Sequence, residues 1–122
     1  QKKDMLIPRL ISNVKAGNEI TLDGQDGLHV NPVHVSDAAN ALLKSLQLEG
    51  SHIFNLGGPD TVSLREIGEL IAKRMNTTAL FNHHLDKIPK DIVGDISHLT
   101  HMLYQPNIRF RDGLNELIDY AE

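Results

Sequence analysis

Leu28 to Ala41, LHVNPVHVSDAANA, is the stretch that decides how this chain is read. Leu28 and Val30, then Val33 and Val35, follow the alternation of a β-strand, whose successive side chains point to opposite faces. Pro32 has no N–H to give a ladder, so an edge or a bulge is expected there. Ser36 or Asp37, short side chains that accept hydrogen bonds from free backbone N–H groups, is expected to cap a helix running to about Leu48. Ala38, Ala41, Leu42 and Leu46 would then face the core. Strand, polar corner and helix start fall within fourteen residues. His29, Asn31, His34, Ser36 and Asp37 could therefore gather around one ligand or one structural joint.

Upstream, Met5 to Ala16 places Leu6, Leu10 and Val14, with Ile7 and Ile11, on one helical face. Pro8 falls in its first turn, and Gly17 is a good stop. Glu19 to Leu22 reads as a short strand, followed by a turn through DGQDG. Downstream, His52 to Leu56 (HIFNL) reads as a strand leading to Gly57-Gly58-Pro59. Ser63-Leu64-Arg65-Glu66 is a capping box that opens a helix to about Met75, with Leu64, Ile67, Leu70 and Ile71 as its apolar stripe. Thr77 to Phe81 fits another short strand, and Asn82 to Gly94, polar and Pro-containing, a loop. Helices over about Ser97 to Leu103 and Arg111 to Ala121 complete the chain, the last with Leu114, Leu117, Ile118 and Ala121 on one face. The whole predicts an α/β fold, a mixed α+β lobe with a small sheet and about five helices, organised as one unit over residues 1–122.

Composition narrows the function. The chain has 122 residues, 40% of them hydrophobic, enough for a modest core. A formal net charge of -4, with no basic cluster denser than Lys2-Lys3, argues against nucleic acid, which demands a cationic face. There is no Cys, so disulfides and thiolate metal sites are excluded and a reducing cytoplasm is the expected compartment. No apolar run approaches the ~20 residues that span a bilayer, so no membrane partner is expected.

Four motifs occur in order: V-x-V-x-D at Val33 to Asp37, N-x-G-G-x-x-x-x-S-x-x-E from Asn55, G-D-x-S at Gly94 to Ser97, and a P-x-x-x-x-x-x-G-L run from Pro106 into the last helix. Together, over essentially the whole chain, they resemble the carboxy-terminal part of extended short-chain dehydrogenase/reductases, the NAD-dependent epimerase/dehydratase family. The resemblance implies a larger two-domain enzyme. In it an amino-terminal Rossmann domain carries the dinucleotide loop and a Tyr-x-x-x-Lys pair, while the carboxy-terminal lobe covers the substrate, often a nucleotide-sugar. The residues here match only the second part. Gly24, Gly27, Gly57 and Gly58 lack the spacing that cradles a pyrophosphate. Tyr104 is followed four residues later by Ile108, so no Tyr-x-x-x-Lys pair exists to move a proton. The chain by itself is expected to be inactive and to bind no cofactor, with NAD or NADP held by the missing Rossmann domain in the complete protein. Oligomers are compatible with the family, which commonly dimerises through Rossmann-domain helices.

Expected substrate contacts are Arg9, His29, Asn31, His34 and Lys90, with no catalytic, cofactor-binding or metal-binding residue. The resemblance implies an Arg on the strand before V-x-D, to grip a diphosphate bidentately. His29 and Val30 stand there instead. Arg9, Lys87 or Lys90 could supply the charge, or the substrate could lack a diphosphate. Each residue also has a plain structural reading. Asn31 fits backbone pairing at the bend as well as it fits substrate, His34 fits a half-exposed structural position, and Asp37 fits a cap or a tie across the corner. Asn55 with Gly57-Gly58 fits a turn. His98 and His101 share a helical face near Asp95, and His83-His84 lies in the expected loop, but three convergent metal ligands are not indicated. Lys73-Arg74 suits a helix C-terminus, and Arg109 and Arg111 a surface. The leading expectation is the substrate-binding lobe of an NAD(P)-dependent nucleotide-sugar epimerase or dehydratase. The alternatives are a lobe of a reductase acting on a small non-nucleotide carbonyl, and a non-catalytic binding or interaction module.

Overall fold

The computed structural model describes residues 5–121, so Lys2-Lys3 and the side chain of Ala121 lie outside the described residues. Helix α1 runs Leu6–Ala16 and buries Leu10, Ile11 and Val14. Gly17, at φ 74°, stops it: its N–H reaches Val14 O, while that of Asn18 reaches Asn13 O. This paired closure satisfies the orphan carbonyls and needs the left-handed conformation that glycine adopts without strain. Strand β1, Glu19–Asp23, follows, with Ile20 and Leu22 turned inward.

Two small sheets form rather than one. Strand β2, His29–Val30, pairs antiparallel with β3, Val62–Ser63, through His29↔Ser63 and Val30↔Val62. β1 pairs in parallel with β4, Leu80–His84, in the register Glu19↔Leu80 through Asp23↔His84. Helix α3, Leu64–Arg74, lies over that parallel pair and buries Ile67, Gly68, Ile71 and Ala72. Its start is the expected capping box: the Ser63 hydroxyl accepts from the Glu66 N–H, and the Glu66 carboxylate accepts from the Ser63 N–H. Gly68 allows the close approach, since a Cβ there would come 3.0 Å from Ile20 Cδ1 and from Phe81 Cε1. Helices α1 and α5, Phe110–Ala121, pack against α3, the latter through Leu114 and Ile118.

Around the corner the structure corrects several expectations. β2 ends at Val30: the Asn31 carbonyl accepts from the Gly58 N–H, outside β3, and Pro32 cannot donate. Helix α2, Val35–Ser45, starts earlier than expected and ends before Leu48. Its cap is His34, not Ser36 or Asp37. Ala41 is buried, but Leu42 and Leu46 are 66% and 81% exposed and do not face the core. His52 to Leu56 forms no strand among the described residues. Strand β4 begins three residues later than expected and takes in Asn82 to His84 from the expected loop. Strand formation depends on a partner as much as on composition, which is why runs of similar pattern had different outcomes. Helix α4, Ser97–Met102, completes the five helices, and no helix among the described residues is long and apolar enough to cross a membrane.

Candidate functional site

The corner is built around Asp37. Its side chain is 1% exposed, and its two oxygens accept from the Tyr104 hydroxyl at 2.7 Å, the Asn107 N–H at 3.1 Å and the Ile108 N–H at 2.9 Å. Burial pushes the carboxyl up, but these hydrogen bonds, with His34 nearby, outweigh it and hold Asp37 below its ordinary value. The Asp37 bond in turn raises Tyr104, partly offset by Asn40. The expectation that Asp37 ties the corner is met, through partners 67 to 71 positions away.

Of the expected contact residues, three lie along one ladder. Ile92 pairs with Val30, and the Ile92 N–H reaches His29 O at 2.8 Å, so the 90–94 segment runs beside β2. His29 gives its N–H to Asp91 Oδ1 at 2.8 Å and holds its ring nitrogen 3.3 Å from the same oxygen. The His29 N–H is the main cause of a lowered Asp91. Lys90 is exposed beside Asp91. Asn31 pairs its amide with the Gly94 backbone: Nδ2 donates to Gly94 O and Oδ1 accepts from Gly94 N, both at 2.9 Å. It is the backbone-pairing reading that the structure realises for Asn31.

Arg9 and His34 are elsewhere. Arg9 is exposed on α1. His34 helps to line a cleft of about 420 Å³ whose walls include Ile7, Val33, Ile108, Phe110 and Leu117. Arg109, also on this cleft, pairs with Asp60 at 2.7 Å, and Asp60 caps the start of α5 by accepting from the Phe110 N–H. The five candidates are thus spread over a ladder, a helix surface and a cleft. Asp91, Tyr104 and Asp60 were missed: each is recognisable only through a partner far along the chain.

The glycine pair serves packing rather than phosphate. A Cβ on Gly57 would come 2.5 Å from Asn31 Nδ2, and one on Gly58 would lie 1.8 Å from Pro32 O. The starts of α2 and α3 are already engaged by His34 and Ser63. A dinucleotide cradle needs free N–H groups at a helix start, and the Ser36 and Glu66 N–H groups at these two starts are taken. Among the described residues no group of three or more His, Cys, Asp or Glu is placed to hold a metal ion. His98 instead packs its ring on Phe54, 4.8 Å between centroids, and Phe54 stacks on His52. His83 shares the register of Leu22, and its Nδ1 is buried without a hydrogen-bond partner.

Comparison with known proteins gives the following. No family model matches the chain. It is 25% identical over 120 residues to dTDP-4-dehydro-6-deoxyglucose reductase of Escherichia coli, covering 95% of this chain and 38% of that protein. UDP-glucuronic acid 4-epimerase from Bacillus cereus, solved with NAD, superposes with a TM-score of 0.81 at 25% identity, over 98% of this chain and 39% of the other. dTDP-glucose 4,6-dehydratase from Bacillus anthracis, also solved with NAD, gives 0.79 at 22% identity, over 99% and 40%. The chain therefore spans about two-fifths of the length of these relatives.

Proposed function

We propose, from the chain's correspondence to the carboxy-terminal part of extended short-chain dehydrogenase/reductases, that it is the substrate-binding lobe of an NAD-dependent nucleotide-sugar epimerase or dehydratase. Hydride transfer and cofactor binding belong to a dinucleotide-binding part beyond these residues. The observation that carries the reading is the end-to-end superposition on a UDP-glucuronic acid epimerase, since 98% of the chain is accounted for by one such enzyme.

A flank of the lobe supports it. Leu42 and Leu43 on α2 and Leu46 at its C-cap are 66%, 63% and 81% exposed. Apolar side chains clustered on one flank mark a surface made to be covered. In this reading the dinucleotide-binding part covers it. The ladder of His29, Lys90 and Asp91 then offers polar groups to the substrate.

A second reading, a lobe of a reductase for a small non-nucleotide carbonyl, is favoured by one feature. His29 is engaged by Asp91, and Val30 is buried, so β2 presents no guanidinium fork to a diphosphate. Titrating the full-length protein, in the presence of NAD, with UDP- and dTDP-sugars and with simple carbonyl compounds separates the two. Thermal stabilisation by a nucleotide-sugar is expected under the first reading. Stabilisation or turnover by simple carbonyls alone would move the assignment to the second. Absence of any NAD binding by the full-length protein would leave only an interaction module.

A further inference from the structure

His34 occupies a position with two incompatible sets of partners. Its Nδ1 accepts the Ser36 N–H at 3.0 Å and so caps α2. A nitrogen that accepts carries no proton, so in this state the ring is neutral and Nε2 bears the hydrogen. Nε2 faces Glu116 Oε2 on α5 at 3.4 Å. The ring also lies against α5 itself, for a Cβ on Gly113 would approach its Cδ2 to 3.1 Å. With 17% of its side chain exposed, His34 is a pin between the start of one helix and the side of another.

Protonation sets these partners against each other. A charged ring donates from both nitrogens, so the Ser36 N–H loses its acceptor and meets a like dipole. The new charge also sits at the N-terminal end of α2, where the helix dipole disfavours a cation. What attracts the charged ring is carboxylate: Glu116 on α5, and Asp37 on α2. The other polar groups on the cleft are Arg109, turned to Asp60, and Tyr120, while Ile7 is what α1 contributes. Glu116, 73% exposed, is free to follow the ring.

We propose that His34 is a pH-responsive pin at the mouth of the cleft. The neutral ring caps α2 and fixes the corner, whereas the charged ring leaves Ser36 for Glu116 and loosens the first turn of α2. Histidine is the side chain whose ordinary charge change lies between pH 5 and 8. Because Val33, His34 and Val35 are themselves cleft residues, the wall moves with the pin. The device concerns these contacts alone and is independent of which substrate the complete protein takes.

The test is an NMR titration of the full-length chain labelled in its histidine rings and backbone amides. At pH 8 the His34 ring should show an unprotonated Nδ1. Between pH 8 and 5 the Ser36 amide should move upfield with the midpoint of the His34 ring, and amide exchange in the first turn of α2, after correction for its intrinsic pH dependence, should quicken about fivefold to tenfold, the size of losing one N-cap. His34→Asn keeps a capping oxygen without a titrating ring and should hold the Ser36 amide flat. A protonated Nδ1 at pH 8, or a Ser36 amide that stays still while His34 titrates, would overturn the proposal even if the variant failed to fold. So would a His34→Asn protein with the pH response of the parent.

Discussion

The two flanks of α2 invert the usual distribution of side chains. On one, a carboxylate, Asp37, is sealed from solvent and surrounded by donors. On the other, Leu42, Leu43 and Leu46 stand in solvent. A buried charge persists only when its lone pairs are met, and Asp37 meets this condition within the chain. Exposed leucines on an amphipathic helix satisfy no such condition within the described residues. The contrast teaches that the first flank is complete in itself, whereas the second has the character of half an interface.

The largest effect should come from breaking the complete flank. Asp37→Asn keeps the shape but turns one acceptor into a donor facing the Asn107 and Ile108 N–H groups or the Tyr104 hydroxyl. Loss of about 3 kcal/mol in urea unfolding is expected. The same residue sets an acid dependence. Its folded value lies below the ordinary one, so it contributes stability above about pH 4, lost as pH falls through the folded value. The parent should therefore lose stability below about pH 4 more steeply than Asp37→Asn. Parallel curves in acid would remove Asp37 from its central place in the comparison.

Gly58→Ala should cost about 2 kcal/mol, since overpacking here meets backbone and not a yielding side chain. A wild-type melting temperature would show that Asn31, Pro32 and Gly58 are less tightly joined than their geometry says. Tyr104→Phe should cost about 1 kcal/mol, one hydrogen bond to a charged group at the edge of the cluster, read by the same urea titration. Its effect should nearly vanish in the Asp37→Asn background, because the two side chains share that bond.

How much of this was legible depends on the range over which each feature is decided. The Ser63 capping box, the Gly17 stop and the Ile67-Ile71 stripe were readable, because partners three to five positions apart settle them. Asp37 is legible as a cap or a tie, but nothing local to it chooses between them or names Tyr104 or Ile108. Periodicity shows that Leu42 and Leu46 share a helix face, and it cannot say which surface that face meets. The same reason explains His52 to Leu56: alternation is a preference for pairing, and pairing needs a second strand. The candidate site was the least legible part, since Asn31 and His34 are polar residues whose first obligations are to backbone at a bend and a helix start.

The smallest expected effect is the most informative about the open flank. Leu46→Gln alters a side chain that is 81% exposed, so unfolding of these 122 residues alone should change by less than about 0.5 kcal/mol. Ile71→Ala, at 0% exposure, should cost about 3 kcal/mol in the same measurement. Within the full-length protein the two positions should draw together. If a second domain covers α2, the Leu46 substitution should destabilise the assembled enzyme by about 1 to 2 kcal/mol, the worth of most of one buried leucine. A neutral Leu46→Gln in both contexts would mean that this leucine is covered by nothing, and the interface would have to rest on Leu42 and Leu43. A large cost in the isolated chain would break the comparison at its root, because the flank would then already be part of the core.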